Sequence, residues 1–315
     1  MGEFGFIDRY LKPLAGEGSE GLLDDAARLS DWVLTKDVLV EGVHFLSSDP
    51  LDLVARKALR VNMSDLLAKG AKPRAYLLGL VWPRSLKEES FAQFTEGLSV
   101  EQEVSELSLL GGDTTSAGEG GLVISVTMFG APLGDRKILR SGAEPGDLLV
   151  VTGTIGAGYL GLEAARRAPP AQDPAALPYR LPQIPAAEAA FIAEHATASL
   201  DVSDGLLADA GHLASASEVD LIIDAGAIPL APGAKTQRSA MDRYVTAGDD
   251  YQTLMTVRPA AAALQEAVAQ GLSLTIIGQA AAMRGNAGKV EAQWPDGTPL
   301  APKRTGWDHF KSDQS

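Results

Sequence analysis

The stretch "PLDLVARKALRVNMSDLLAKGA" (50–71) decides how the first half of this chain folds. Pro50 is typical of the opening turn of a helix and Gly70 of its end, which predicts a helix over this stretch. A Val-rich, alternating stretch (31–45) precedes it and an apolar stretch (75–83) follows it, and both are typical of strands. The order of strand, helix and strand predicts an α/β fold.

An acidic residue, Asp65, interrupts the apolar face of this predicted helix. That face consists of Val54, Ala58, Val61 and Ala68, at the spacing of a stripe that packs against a core. Because burial of an unpaired carboxylate is costly, Asp65 needs partners. These are either a basic side chain or a helix end that Asp65 caps, or a metal ion shared with other acidic residues.

Segments typical of strands and helices alternate along the rest of the chain. Helices are predicted over 87–104, 157–167, 186–196 and 259–270, and strands over 121–130, 148–153, 219–225 and 274–280. The stretch 107–115 is predicted to be a strand that runs into a glycine loop. The proline-rich stretch 168–185 predicts a loop or a mobile insertion. Broken periodicity near 131–147 predicts a boundary between two domains, 1–138 and 139–315.

Composition narrows the class of protein. A 315-residue chain with 45% hydrophobic and 22% charged residues is typical of a soluble globular protein. The chain has no cysteine, which excludes disulfides and thiolate zinc sites and fits a cytoplasmic location. A net charge of −14 argues against nucleic acid as a partner. The sequence has no apolar run of about 18 residues, so no membrane span is expected.

Acidic residues follow or interrupt apolar segments at several places, where turns and helix caps also occur. They are Asp24, Asp25, Asp37, Asp113, Asp201, Asp249 and Asp250. Ligands of α/β proteins bind at strand ends, so we expect some of these carboxylates to meet. Oxygen ligands without cysteine favour Mg²⁺ over zinc, and paired Mg²⁺ ions neutralise the charge that develops in phosphoryl transfer.

The stretch "DVSDGLLADAGH" (201–212) fits the same chemistry. Asp201 and Asp204 are predicted to hold metal, and Ser203 or the following helix N-terminus to meet phosphate. His44 ends a strand near the acidic set and is either a site residue or a hydrogen-bonded strand-end histidine. His195 and His212 lie in Ala-rich stretches and are predicted to be structural or exposed.

A Gly-x-Gly-x-x-Gly pattern at 156–161 raises the alternative of a nicotinamide-dependent enzyme. The pattern lacks an acidic residue at a strand end about twenty positions later, which a dinucleotide site needs. Tight packing of a strand against a helix is the other explanation of these glycines. A phosphate-binding P-loop motif is absent.

The order of several motifs resembles that of thiamine-monophosphate kinases, in the aminoimidazole-ribonucleotide-synthetase-like superfamily. The matching motifs are "GEFGFIDRY", "LLDDAA", "DVLVEGVHF", "RKALRVNMSDLLAKGAKPR", "LLGGDTT", "RSGAEPGD", "VTGTIG", "DVSDGLLAD", "GDDY" and "GWDHF". The resemblance implies ATP-dependent phosphorylation of thiamine monophosphate to thiamine diphosphate by direct in-line transfer, assisted by several Mg²⁺ ions. It also implies a mixed-sheet N-terminal domain that forms a homodimer, an α/β C-terminal domain and an active site in the cleft between them.

Carried over position by position, the resemblance assigns roles to individual residues, none of them a catalytic acid or base. The metal ligands would be Asp25, Thr35, Asp37, Asp65, Asp113, Asp201 and Asp204. The nucleotide contacts would be Gly112, Asp113, Arg140 and Ser203. The contacts to thiamine monophosphate would be His44, Asp249 and Trp307.

The chain departs from the family pattern at three places. Lys36 follows Thr35 where a second hydroxyl is usual, so a metal contact there is lost or replaced by a phosphate contact. An aromatic residue common before "GGD" is absent, and Asp249 stands where a longer glutamate is frequent. Other superfamily enzymes, acting on selenophosphate, formylglycinamidine or hydrogenase-maturation substrates, and a catalytically inactive relative remain alternatives at this point.

Overall fold

A computed structural model of the chain describes residues 3–116, 118–167, 173–259 and 261–307. Its first sheet has the strand order β1-β2-β5-β3-β4, in which only β3 and β4 run parallel. The strands are β1 (Ala27–Leu29), β2 (Trp32–Val40), β3 (Ala71–Val81), β4 (Ser108–Thr115) and β5 (Val123–Pro132). The short helix α1 (Glu3–Phe6) and three helical turns precede β1.

One face of the first sheet carries the N-terminal core. Strand β5 alternates, so Ile124, Val126 and Met128 are fully buried while the residues between them are partly exposed. Helices α2 (Leu51–Ala68) and α3 (Glu88–Ser105) cover the buried face. The opposite face of the sheet exposes apolar side chains, which include Trp32, Val38 and Leu77.

The second sheet is covered on both faces. Its order is β11-β8-β10-β6-β9-β7, with β6 (Leu148–Thr152), β7 (Ala196–Asp201), β8 (Val219–Asp224), β9 (Thr253–Val257), β10 (Leu274–Ala282) and β11 (Val290–Gln293). Helix α7 (Leu206–Ser217) packs on one face, and α6 (Ala189–His195) and α9 (Ala261–Ala269) pack on the other. Helices α4 (Ala157–Arg167), α5 (Leu177–Arg180) and α8 (Arg238–Val245) complete this half. Among the described residues, no helix is both long enough and apolar enough to cross a bilayer.

The structure confirms the mixed α/β fold and the helix over 50–70. Two expectations are wrong. Gly111 and Gly112 lie inside the edge strand β4 rather than in a loop after it, because a bulge opposite Tyr76 and Leu77 accommodates them. Within the predicted loop 168–185, residues 174–180 are helical, and the residues before 173 lie outside the described part. The domain division at residue 138 stays a prediction.

Candidate active site

A cavity of about 550 Å³ lies where the two sheets meet. Residues from both halves of the chain line it: the end of β2 and the loop after it, α2, the first turn of α4, and the segments around 201–204, 246–251 and 304–307. Each half therefore supplies part of the cavity wall.

Three carboxylates converge at one end of this cavity. Asp25, Asp65 and Asp201 each offer an oxygen atom within 4.8 Å of the other two. Asp37, on β2, also lines this end, in the row of β2 that faces α2. We call Asp25, Asp37, Asp65 and Asp201 the acid cluster.

The hydrogen bonds that reach two members of the acid cluster come from neutral donors. The Thr35 hydroxyl donates to Asp65 Oδ2 at 2.5 Å, and the Ser64 hydroxyl donates to Asp201 Oδ2 at 2.9 Å. Within the described ranges, neither aspartate forms an ion pair with a lysine or arginine. The salt-bridge explanation of Asp65 is therefore wrong, and the alternative of a shared cation gains support.

Burial and mutual repulsion act on the protonation of the acid cluster. Burial raises the pKa of Asp37 to about 6. Burial, followed by the charge of Asp25, raises the pKa of Asp201 to about 8. Burial and the charges of Asp37 and Asp201 hold the pKa of Asp65 well above its ordinary range. Carboxylates in this state need a proton or an added cation.

Asp25 differs from the other members because the chain itself supplies its counter-charge. The Lys69 ammonium lies 2.6 Å from Asp25 Oδ2 and also pairs with Asp24, and Arg140 Nε donates to Asp25 Oδ1 at 2.7 Å. Burial disfavours the ionised form, but the charges of Lys69 and Arg140 outweigh it and lower the pKa of Asp25. Asp25 is therefore ionised and oriented before any ligand binds.

The donor set fits a hard divalent cation. Mg²⁺ binds a few carboxylate oxygens and completes its octahedron with water and phosphate oxygens. The acid cluster offers carboxylate and hydroxyl oxygens, and the described residues that line it include neither cysteine nor histidine. Asp65, Asp201 and Asp37 form no ion pair with a lysine or arginine among the described residues, and they are the residues best suited to hold such an ion.

A second group of possible ligands combines Asp204, in the loop between β7 and α7, with two residues of α7. Asp204, Asp209 and His212 place ligand atoms within 4.8 Å of one another. Asp209 also accepts the backbone N–H groups of Asp204 and Gly205, at 3.1 and 3.0 Å, and so fixes the loop. Burial and the charge of Arg140 lower the pKa of His212 to about 4, so its imidazole is neutral.

Close backbone contact joins this loop to the turn before β9. A Cβ atom added to Gly248 would lie 2.2 Å from the Ser203 carbonyl oxygen, so only glycine fits there. The Asp249 amide donates to the same oxygen at 3.0 Å. On the other side, the Trp307 amide donates to the Asp204 carbonyl at 3.0 Å. Ser203, Asp204, Asp249 and Trp307 are therefore held together around the cavity.

The other end of the cavity carries the predicted substrate contacts. His44, Asp249 and Trp307 all line it, together with Tyr179 and Tyr251. The His44 ring also accepts the Val40 amide through Nδ1 at 2.9 Å. The structure confirms the hydrogen bond at the strand end, and the role of His44 as a site residue stays a prediction.

The Gly-x-Gly-x-x-Gly pattern has a structural explanation. The Asp250 carboxylate accepts the amides of Gly156 and Gly158, at 2.8 and 3.0 Å, at the N-terminus of α4. A side chain of the protein thereby occupies the position that a pyrophosphate takes in a dinucleotide site. A Cβ atom on Gly161 would lie 2.5 Å from the Tyr179 nitrogen, so the tight packing there joins α4 to the helix α5 rather than to a strand. This geometry argues against the nicotinamide alternative.

The structure brings together most of the predicted site residues. The residues that line the cavity are Asp37, His44, Asp65, Asp201, Ser203, Asp204, Asp249 and Trp307. Thr35 donates to Asp65, Asp25 lies next to Asp65 and Asp201, and Arg140 donates to Asp25. Gly112 and Asp113 do not reach the cavity of their own chain. Asp113 is exposed on β4 and shares the face of Leu77, whereas Asp37 faces α2.

Sequence reasoning missed several residues of the site. Asp209 fixes the loop before α7 and His212 lies beside it, Lys69 pairs with Asp25, and Lys57 pairs with Asp249. The positions of Lys57 and Lys69 in the sequence could have indicated that they are buried near the site. Lys57 lies on the same buried helix as Asp65, and Lys69 lies just beyond its end.

Comparisons with known proteins define the class of protein. Residues 23–131 match the model of the AIR synthase related protein N-terminal domain, and residues 144–291 match that of the C-terminal domain. Structures of hydrogenase maturation protein HypE share this fold, one of them with a TM-score of 0.68 at 15% identity. The chain therefore has the two-part architecture of AIR synthase related proteins.

Relatives of higher sequence identity define the family within this class. The chain is 42% identical to thiamine-monophosphate kinase of Caulobacter vibrioides, over 98% of this chain and 90% of that protein. It is 33% identical to the Aquifex aeolicus thiamine-monophosphate kinase, over 98% of each chain. A structure of AaThiL complexed with AMPPCP and TMP superposes with a TM-score of 0.83 at 31% identity, covering 98% of this chain and 97% of that one. The chain belongs to the thiamine-monophosphate kinase family.

Proposed function

We propose that this protein transfers the γ-phosphoryl group of ATP to thiamine monophosphate and so forms thiamine diphosphate. The observation that carries the proposal is that one cavity joins the acid cluster to the pocket of His44, Asp249 and Trp307. The similar AaThiL structure holds AMPPCP and TMP, an ATP analogue and a phosphate ester, in one complex.

The acid cluster would hold Mg²⁺, which neutralises the phosphate charge that develops during in-line transfer. Asp65 and Asp201 contribute carboxylates from two different halves of the chain, and they offer oxygen atoms within 4.8 Å of each other. Arg140 and Lys69 orient Asp25. Ser203 and the N-terminus of α7 provide a hydroxyl and backbone donors for phosphate oxygens.

At the opposite end, Asp249 would accept a hydrogen bond from the organic part of thiamine monophosphate, and Trp307 would lie against its ring. With the phosphate towards the acid cluster, the acceptor oxygen is positioned for attack without a protein nucleophile. No acid–base residue is needed beyond this positioning, because the attacking phosphate oxygen is already ionised.

The first test is formation of thiamine diphosphate from thiamine monophosphate and ATP, with and without Mg²⁺. The proposal expects Mg²⁺-dependent product and an equal amount of ADP. Bound ATP without product would favour another enzyme of the superfamily. The cytoplasmic location predicted from the sequence belongs to the same proposal, and cell fractionation would test it.

We further propose a homodimer formed through the N-terminal domain, residues 1–138. The face of the first sheet opposite α2 exposes Trp32, Val38 and Leu77, and apolar side chains of this kind mark interaction surfaces. Asp113 shares this face, so the proposal places it at the dimer interface rather than in the cavity of its own chain. Leu77→Glu should give a monomer in sedimentation; an unchanged dimer with this variant would argue for another interface.

A further inference from the structure

Lys57 is a fully buried lysine beneath the substrate end of the cavity. Its side chain, on α2, is 1% exposed. The ammonium donates to the His44 carbonyl oxygen at 2.9 Å and to Asp249 Oδ2 at 3.1 Å, and it lies 3.9 Å from the centre of the Tyr179 ring. A buried ammonium is tolerated only when its charge and its donors are matched in this way.

The three partners of Lys57 come from segments far apart in the sequence. His44 lies in the loop after β2, Tyr179 in α5, and Asp249 in the turn before β9. The Tyr179 hydroxyl also donates to the His44 carbonyl, at 3.3 Å. The Lys57 ammonium group therefore connects three separate parts of the cavity wall.

Asp249 is held at both carboxylate oxygens. Lys57 binds Oδ2, and the Tyr251 hydroxyl donates to Oδ1 at 2.8 Å. The backbone of Asp249 has φ +70° and that of Tyr251 has φ +50°, a region that side-chain-bearing residues adopt only when their surroundings enforce it. The Asp249 side chain is still 25% exposed, so its remaining lone pairs face the cavity.

We infer that Lys57 is a positioning residue for the organic part of thiamine monophosphate, acting through Asp249 and the His44 loop. The inference rests on the proposed function. Lys57 does not touch the substrate, because Asp249, Tyr179 and the His44 carbonyl surround its ammonium. It sets the direction of the Asp249 carboxylate and joins the His44 loop to α5, before any ligand binds.

A purely structural ion pair would behave differently from a positioning residue. Loss of a structural pair lowers the melting temperature and affects both substrates alike. Loss of positioning weakens the interaction with one substrate, because the acid cluster that faces ATP does not contact Lys57. The ratio of the two KM values therefore separates the two roles.

The experiment measures KM for thiamine monophosphate and for ATP in the wild type, K57M, D249N and the double variant. We expect K57M to raise KM for thiamine monophosphate between about 10-fold and 10²-fold, and to leave KM for ATP within about 2-fold. The double variant should be no worse than the more impaired single variant, because both substitutions remove one coupled unit. K72M is the matched control, since Lys72 is exposed and pairs with Glu106, and it should behave as the wild type.

The outcomes separate this inference from the proposed function. An active wild type, with a K57M variant whose two KM values change equally, would overturn the role of Lys57 alone. If the effects of K57M and D249N on KM for thiamine monophosphate multiply in the double variant, the role of Lys57 is overturned as well. A wild type that forms no thiamine diphosphate overturns the proposed function and this inference together. K57Q, which keeps donors without the charge, provides the same comparison if K57M does not fold.

Discussion

The two ends of the cavity handle buried negative charge in opposite ways. At the substrate end, Asp249 has a lysine of the chain as its counter-ion. In the acid cluster, Asp65 and Asp201 accept hydroxyl groups and, within the described part of the chain, form no ion pair with a lysine or arginine; their pKa values are raised. One end is therefore neutralised by the fold, and the other requires a proton or a metal ion.

This difference shows which part of the site has its geometry fixed before a ligand binds. A cation that belongs to the chain fixes its partner permanently, as Lys57 does for Asp249. The carboxylates of the acid cluster that no basic side chain neutralises depend on protons or metal ions from the solution. Metal binding and folding stability therefore become linked. Asp25, with Lys69 and Arg140 beside it, is the part of the acid cluster that resembles the substrate end.

The largest effect should come from Asp65→Asn. The substitution keeps the shape of the side chain but removes a carboxylate that the bound ion requires. Turnover should fall by more than about 10³-fold, while circular dichroism and the melting temperature without metal stay close to the wild type. Asp8→Asn, at an exposed residue, is the control. Near-normal turnover in Asp65→Asn would contradict the assignment of Asp65 as a metal ligand.

The pH dependence of stability should differ with and without Mg²⁺. The pKa values of Asp37 and Asp201 are raised from 3.8 to about 6 and about 8. The folded state then binds more protons than the unfolded state, so the metal-free protein should lose stability as the pH rises from about 4 to 8. Mg²⁺ replaces the protons and reduces this loss.

The measurement is the melting temperature in Mg²⁺ and in a chelator, from pH 5 upward to about 8.5. The difference between the two conditions should grow with pH. Asp250, whose pKa burial raises to about 7, titrates in the same window but touches no member of the acid cluster, so it cancels in the difference. A difference that stays constant with pH would show that the ion binds elsewhere.

A smaller effect is expected from Asp250→Ala. The amides of Gly156 and Gly158 would lose their acceptor inside the protein, which costs about 1–3 kcal/mol. The melting temperature should fall by several degrees, and turnover should fall less than in Asp65→Asn. Thr298→Ala, on the exposed surface, controls for a general loss of stability. Binding of a nicotinamide dinucleotide by the wild type would contradict the structural explanation of this glycine pattern.

Much of the fold and part of the site could be predicted from the sequence. The helix over 50–70 and the position of Asp65 on its apolar face follow from a local period of 3.6 residues, which needs no tertiary information. The motif around Asp201 also placed a carboxylate at a strand end correctly, whereas Asp249 lies in the turn between α8 and β9. Residues 174–180 could not be predicted, because three prolines in the stretch 177–185 suggested a loop.

By itself, the sequence determined the α/β class and the order of the motifs, since each depends on neighbours within a few residues. Only the tertiary structure decided which charges meet. Lys57 and Asp249 are 192 residues apart, and Asp250 and Gly156 are 94 apart. Strand order and the opposite faces of the first sheet separate Asp113 from the acid cluster. Contacts of this kind depend on how two sheets pack, and no local period in a chain records that packing.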